Sequence, residues 1–200
     1  MLRANLEGDL MPKDEEYGYR KSIRLPFYDY SGGGFYFVTL CTSDWEPIFG
    51  KVEDGKMKMN EFGQSAEFVW DEIPQHFPNV EIDAFVIMPN HVHGVIVIKE
   101  NGNIVKPTRA QHAAPLRNKN GSKSGSLGVI VRSFKSAVTR EINLQRGTPG
   151  VTVWQRNYYE HVIRDERDLE RIREYIENNP LRWALDEENP ENRIALTPNP

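Results

Sequence analysis

Eleven consecutive residues, Met88-Pro89-Asn90-His91-Val92-His93-Gly94-Val95-Ile96-Val97-Ile98, set the tightest limit on what this chain can build. The aliphatic run reads as a buried β-strand, and on a strand the side chains at i and i+2 leave the same face. His91 and His93 therefore point together, while Val92 points back into the packing. Pro89-Asn90 is a turn signal, so the two imidazoles stand at the mouth of a hairpin, within reach of solvent and substrate. Paired neutral imidazoles are ready metal ligands. Taken alone, the same residues also describe two hydrogen-bonded histidines at a strand end.

The flanking sequence supplies the remaining elements. Phe35 to Thr42 is aromatic and β-branched throughout and reads as a strand. A short hairpin-like excursion follows around Ile48 to Met59. Ser65 to His76 carries Phe68, Val69, Trp70 and Ile73 in the pattern of an amphipathic helix ended by Pro74 or Pro78. Val80 to Met88 is the strand that turns into His91–Ile98. A second helix follows from Leu127, with Val131, Phe134, Val138 and Ile142 on one stripe. Residues 151–163 read as a last strand, after which Asp165 caps a final helix, with Asp168 at capping-box spacing, that runs to Asn179 before Pro180. Strand, helix, strand, strand, helix, strand, helix predicts an α+β fold: a ferredoxin-like βαββαβ antiparallel sheet with helices on one face, plus a carboxy-terminal helix.

The domain reading is a loose arm over 1–19, a single domain over 20–185 and a tail over 186–200. Residues 99–126 lack apolar periodicity and form a mobile basic loop within the domain. No apolar run is long enough to span a bilayer, and no signal segment opens the chain, so the expected location is the cytoplasm. The single cysteine, Cys41, excludes an internal disulfide and any multi-cysteine zinc site.

The formal net charge is −4, which by itself speaks against a polyanion partner. The distribution of that charge points the other way. Residues 101–164 hold 11 basic side chains against only Glu141 and Glu160, whereas residues 1–100 hold 9 basic and 17 acidic. A basic segment between acidic flanks is the footprint of a polyanion-binding face. Within it, Arg132, Lys135 and Arg140 on the helix are candidate phosphate contacts, supported by Lys119 and Lys123 in the loop. Arg20, Lys21 and Arg24 ahead of the first strand could reach nucleic acid as an arm.

On the final helix Tyr175 and Asn179 are four apart and share a face. An asparagine oxygen is a hard ligand suited to Mg²⁺ or Mn²⁺. If this helix crosses the sheet near the hairpin mouth, His91, His93 and Asn179 form a three-ligand site with open positions, and Tyr175 is placed for covalent attack. Tyr158 and Tyr159, beside Glu160 and His161, are the rival nucleophiles. No G-x-x-x-x-G-K-[ST] loop is present, so no nucleotide cofactor is expected.

These residues together resemble the single-tyrosine HUH transposases, and most closely the REP-associated tyrosine transposases. The resemblance rests on Arg20-Lys21-Ser22-Ile23-Arg24-Leu25, the strand Phe35–Thr42, Met88-Pro89-Asn90-His91-Val92-His93, Trp154-Gln155-Arg156, Tyr158–Arg164 and Tyr175-Ile176-x-x-Asn179-Pro180, spread over roughly residues 20 to 183. It implies an enzyme that cuts single-stranded DNA near a folded hairpin through a 5′-phosphotyrosine, with Tyr175 as nucleophile and His91, His93 and Asn179 holding Mg²⁺ or Mn²⁺. By the same analogy the protein is a monomer rather than a dimer. The competing readings are a non-catalytic hairpin-DNA binder that regulates, or another HUH nickase, the latter opposed by the lack of a helicase or primase region.

Overall fold

The computed structural model describes residues 30, 32–105, 124–186 and 188–192. In chain order the elements are β1 (Gly34–Cys41), β2 (Gly50–Glu53), β3 (Lys56–Met59), α1 (Glu61–Asp71), a single turn α2 (Ile73–His76), β4 (Val80–Ile87), β5 (His91–Ile98), α3 (Leu127–Arg146), β6 (Tyr159–Ile163) and α4 (Glu166–Arg182). Four strands form one sheet in the order β4-β5-β1-β6, every neighbouring pair antiparallel. With α1 and α3 as the two crossovers, this is the ferredoxin-like arrangement the element order predicts. β2 and β3 pair separately as a hairpin inserted after β1.

The two central strands are buried on both faces, which is why they read as nearly continuous apolar runs rather than alternating ones. Tyr36, Val38, Leu40, Val92, Ile96 and Ile98 pack on one side with Trp70 of α1 and Val131, Phe134, Val138 and Ile142 of α3. Phe35, Phe37, Val95 and Val97 face the other way, against Leu169, Ile172 and Ile176 of α4. The crossover helices thus share one face and the carboxy-terminal helix covers the opposite one. Gly94 lets α1 lie close: a Cβ there would fall inside the Trp70 ring. Trp70 in turn meets Phe134 edge-on at 5.1 Å between centroids, tying α1 to α3.

Several boundaries differ from the sequence reading, each for a local reason. α1 begins at Glu61 because Asn60 caps it, its Oδ1 accepting from the amides of Phe62 and Gly63. The last strand is only Tyr159–Ile163 rather than 151–163. Trp154 makes an isolated bridge to Thr42, and the carbonyls of Gln155 and Asn157 turn away from the ladder to accept from Lys135 Nζ at 2.9 and 2.8 Å. α4 runs past Pro180 to Arg182. A proline in the last turn forfeits one intrahelical bond, and Leu181 next to it lies against Gly55 of the β2–β3 turn. Beyond the helix, Asp186, Glu188 and Asn189 are buried, so the segment read as a tail starts inside the packed structure.

The arm over 1–19, the arm residues Arg20, Lys21 and Arg24, and the loop residues Lys119 and Lys123 lie outside the described residues. Among the described residues, no helix is long and apolar enough to cross a membrane.

Candidate active site

The two histidines leave β5 on the side that α4 covers, and both are fully buried. Antiparallel register sets His93 opposite Thr39 and His91 opposite Cys41. Thr39 Oγ1 meets His93 Nδ1 at 2.9 Å, and Asn90 Oδ1 meets His91 Nδ1 at 2.9 Å. The second contact fixes a tautomer. The Asn90 amide nitrogen donates to the carbonyls of Trp45 (3.1 Å) and Glu188 (2.6 Å), so the atom facing His91 is the oxygen, which only accepts. His91 Nδ1 therefore carries the proton, and in the neutral ring the lone pair sits on Nε2. Burial, joined by the neighbouring His91, holds His93 well below the usual histidine range, so the His93 ring is neutral at physiological pH. Neutral imidazole is the form that ligates metal.

α4 lays a row of side chains over this pair. Tyr175, Asn179 and Trp183 are spaced four apart, one turn each. Tyr175 OH lies 3.3 Å from His93 Nε2, and the Trp183 ring centroid lies 5.9 Å from that of His91. Asn179, between the two, therefore sits above the histidine pair. It is 1% exposed; its Nδ2 donates to Asp186 Oδ2 at 3.4 Å, and its Oδ1 has no hydrogen-bond partner among the described residues. A buried oxygen left so costs about 1–3 kcal/mol. Two imidazoles and an amide oxygen without a hydrogen-bond partner among the described residues fit a divalent ion such as Mg²⁺ or Mn²⁺. Phe37 underlies the arrangement, stacked on His93 at 5.4 Å and edge-on to Tyr175 at 6.1 Å, which restricts both rings.

The rival tyrosines stand elsewhere. Tyr158 packs against the α1–α3 side, with Lys135 Nζ 5.8 Å from its ring centroid. Tyr159 faces the α4 side next to Phe37, and burial pushes its hydroxyl up to about 12. Forming its phenolate is harder than for an ordinary tyrosine, the reverse of what a nucleophile needs. His161, the other suspect, pairs with Asp168 at 2.8 Å, and Arg171 joins from the next turn of α4 at 2.9 Å. Burial raises the Asp168 carboxyl, but the His161 and Arg171 contacts outweigh it and hold the group well below the usual carboxylate range. This cluster fastens β6 to the start of α4.

Of the basic candidates, Arg132 and Arg140 are exposed on α3 and line a groove shared with α1, on the opposite side of the sheet from Tyr175. Lys135 is committed to backbone carbonyls, and burial pulls its ammonium down to about 8. Sequence reading singles out none of Thr39, Asn90 and Asp186, which hold His93, His91 and Asn179. Asn90 is legible only as a turn residue, and the other two act across the fold, where no local spacing marks them.

No family model matches the chain. A Haemophilus influenzae protein described only as an uncharacterized protein is 44% identical over 171 residues, covering 84% of this chain and 92% of that one. A second Haemophilus influenzae protein, named "Putative REP-associated tyrosine transposase", is 27% identical over 154 residues, 77% of this chain and 74% of its own length. Among solved structures, a REP-associated tyrosine transposase bound to a REP hairpin superposes with a TM-score of 0.52 at 18% identity, over 82% of this chain and 74% of that one, which establishes a shared fold. The chain thus shares the fold of a REP-associated tyrosine transposase and is similar in sequence to a protein named as a putative one.

Proposed function

We propose that the protein is a divalent-metal-dependent endonuclease and strand transferase. It acts on single-stranded DNA beside hairpins formed by repetitive extragenic palindromes. The observation that carries this reading is the 3.3 Å approach of Tyr175 OH to His93 Nε2, one helical turn from Asn179, whose buried Oδ1 has no hydrogen-bond partner among the described residues. The hairpin-bound relative supplies the substrate class.

Tyr175 Oη attacks the phosphorus of a backbone phosphodiester. Its O–H bond gives up a proton, a P–O(tyrosine) bond forms, and the P–O3′ bond breaks with its electron pair leaving on O3′, which is protonated to a free 3′-hydroxyl. One phosphodiester replaces another, so attack by a 3′-hydroxyl on the phosphotyrosine rejoins the strand without a nucleotide cofactor. A phenol with an ordinary pKa near 10 is a weak nucleophile. A divalent ion on His91, His93 and Asn179 would polarise the phosphate and draw charge from the leaving oxygen. Phe37 holds the Tyr175 ring in place, so little orientational freedom remains to be lost in the transition state. Arg132 and Arg140, with the basic residues of the arm and loop, would hold phosphates away from the scissile bond.

The test is cleavage of 5′-labelled hairpin oligonucleotides bearing single-stranded flanks, with Mg²⁺ or Mn²⁺ and with EDTA. Strand cutting that EDTA abolishes is expected. Tight binding that EDTA leaves unchanged, with no cutting under either ion, would replace this reading with that of a regulatory hairpin binder.

A further inference from the structure

The donor set is held from behind by a segment that sequence reading leaves as a tail. Past α4, Trp183–Leu185 forms a short 3₁₀ turn and residues 186 and 188–192 fold back on the sheet end. The fold-back is tied internally: Asn189 Nδ2 donates to Trp183 O at 3.0 Å, and Asn192 Nδ2 donates to Ala184 O at 3.1 Å and to Asp186 O at 2.8 Å. From this platform two contacts reach the site. Asp186 Oδ2 accepts from Asn179 Nδ2, while its other oxygen accepts the Glu188 amide at 2.7 Å. The Glu188 carbonyl accepts from Asn90 Nδ2, and Asn90 Oδ1 accepts from His91 Nδ1.

Both contacts have the same chemical consequence. An asparagine side chain has one atom that can ligate a cation and one that cannot, and a half-turn about its last bond exchanges them. Asp186, 8% exposed, takes the NH₂ end and so leaves Oδ1 as the free end of the amide, buried and without a hydrogen-bond partner among the described residues. Asn90 takes the Nδ1 proton of His91 and so leaves Nε2 as the lone-pair nitrogen. Hydrogen-bond partners behind metal ligands commonly contribute 10–100-fold to metal affinity through this kind of orientation.

Resting on the metal reading above, we infer that Asp186 is a positioning residue for the metal site. Its carboxylate holds the Asn179 amide oxygen-first, and the segment that carries it also fixes the His91 tautomer through Glu188 and Asn90. Asp186 acts through Asn179 rather than as a ligand itself. The fold-back after α4 is thus a working part of the centre.

The experiment measures Mn²⁺ affinity of the full chain without DNA, by electron paramagnetic resonance of unbound Mn²⁺, with circular dichroism as the fold control. The chains compared are wild type, Asn179→Ala, Asp186→Ala and Asp186→Asn. Asp186→Ala should weaken Mn²⁺ about 10-fold or more. Asp186→Asn, which keeps one acceptor oxygen, should fall between it and wild type. A folded Asp186→Ala that binds within about twofold of wild type, while Asn179→Ala is impaired, would overturn the positioning role and leave the metal reading intact. Wild type that binds no Mn²⁺ at millimolar concentration would remove the metal reading, and this inference with it. Unfolding of both Asp186 variants would also count against it, because a positioning group is dispensable for folding.

Discussion

Tyr175 sits with its hydroxyl 3.3 Å from a buried imidazole, but on the proposed reading the phenol is not needed to complete the donor set of His91, His93 and Asn179. Tyr175→Phe should therefore abolish strand cutting while leaving Mn²⁺ affinity within about threefold of wild type, since the donor atoms of His91, His93 and Asn179 remain. A lost Mn²⁺ signal would make the tyrosine a ligand and undo the division of roles. Asp168 yields a pH prediction. Its contacts with His161 and Arg171 lower its folded pKa below the unfolded value, near 3.9. The folded state then binds fewer protons than the unfolded chain, so this stabilisation is complete above about pH 4 and is lost as pH falls. Asp168→Asn should lower stability at pH 7 by about 1–2 kcal/mol and flatten the stability change between pH 5 and 3 in urea titrations. An unchanged acid limb would mean that the cluster carries no net linkage. At this scale much is legible in sequence: His91 and His93 follow from the two-residue strand period, and Tyr175 and Asn179 from the four-residue helix period. Thr39, Asn90 and Asp186 are not, because each holds its partner across strands, at a turn or across the fold-back, where no local period exists.

Among the elements, β5 carries the most constraint. Val92, Ile96 and Ile98 face one core, His91 and His93 face the site, and Gly94 makes room for Trp70. Gly94→Ala should cost about 1–3 kcal/mol by overpacking against that ring, visible as a lower melting temperature. If α1 can shift without cost, stability will not change. The strand itself is readable from its aliphatic run, whereas the closeness of Trp70 depends on which helix crosses it. The final strand reads too long for a related reason. Residues 151–158 have strand composition, yet the carbonyls of Gln155 and Asn157 are claimed by Lys135, a helix residue some 20 positions earlier. Lys135→Ala should lower stability by about 1–3 kcal/mol and leave the salt dependence of DNA binding unaltered. A flatter salt slope in that variant would return Lys135 to the phosphate contacts.

Across the whole molecule the sheet separates two surfaces. α4 and the side chains of His91, His93 and Asn179 lie on one, and the groove between α1 and α3, with Arg132 and Arg140, lies on the other. The sheet order is legible from the alternation of strands and helices. The separation of charge from chemistry is not, since a basic stretch in sequence says nothing about which face of the sheet it will occupy. If DNA passes over both surfaces, Arg132→Ala with Arg140→Ala should weaken binding and reduce the slope of log affinity against log salt by about 1.4, at roughly 0.7 per single-strand phosphate contact. An unaltered slope would confine the DNA to the α4 side.

Covalent attachment of DNA to Tyr175 is read most simply by peptide mass spectrometry. Trypsin releases Tyr175 in Glu174–Arg182, where it is the single tyrosine, and releases both rivals in Asn157–Arg164. After incubation with a hairpin oligonucleotide and Mn²⁺, then nuclease trimming, a phosphonucleotide mass is expected on Glu174–Arg182. The same mass on Asn157–Arg164, carrying Tyr158 and Tyr159, would contradict it.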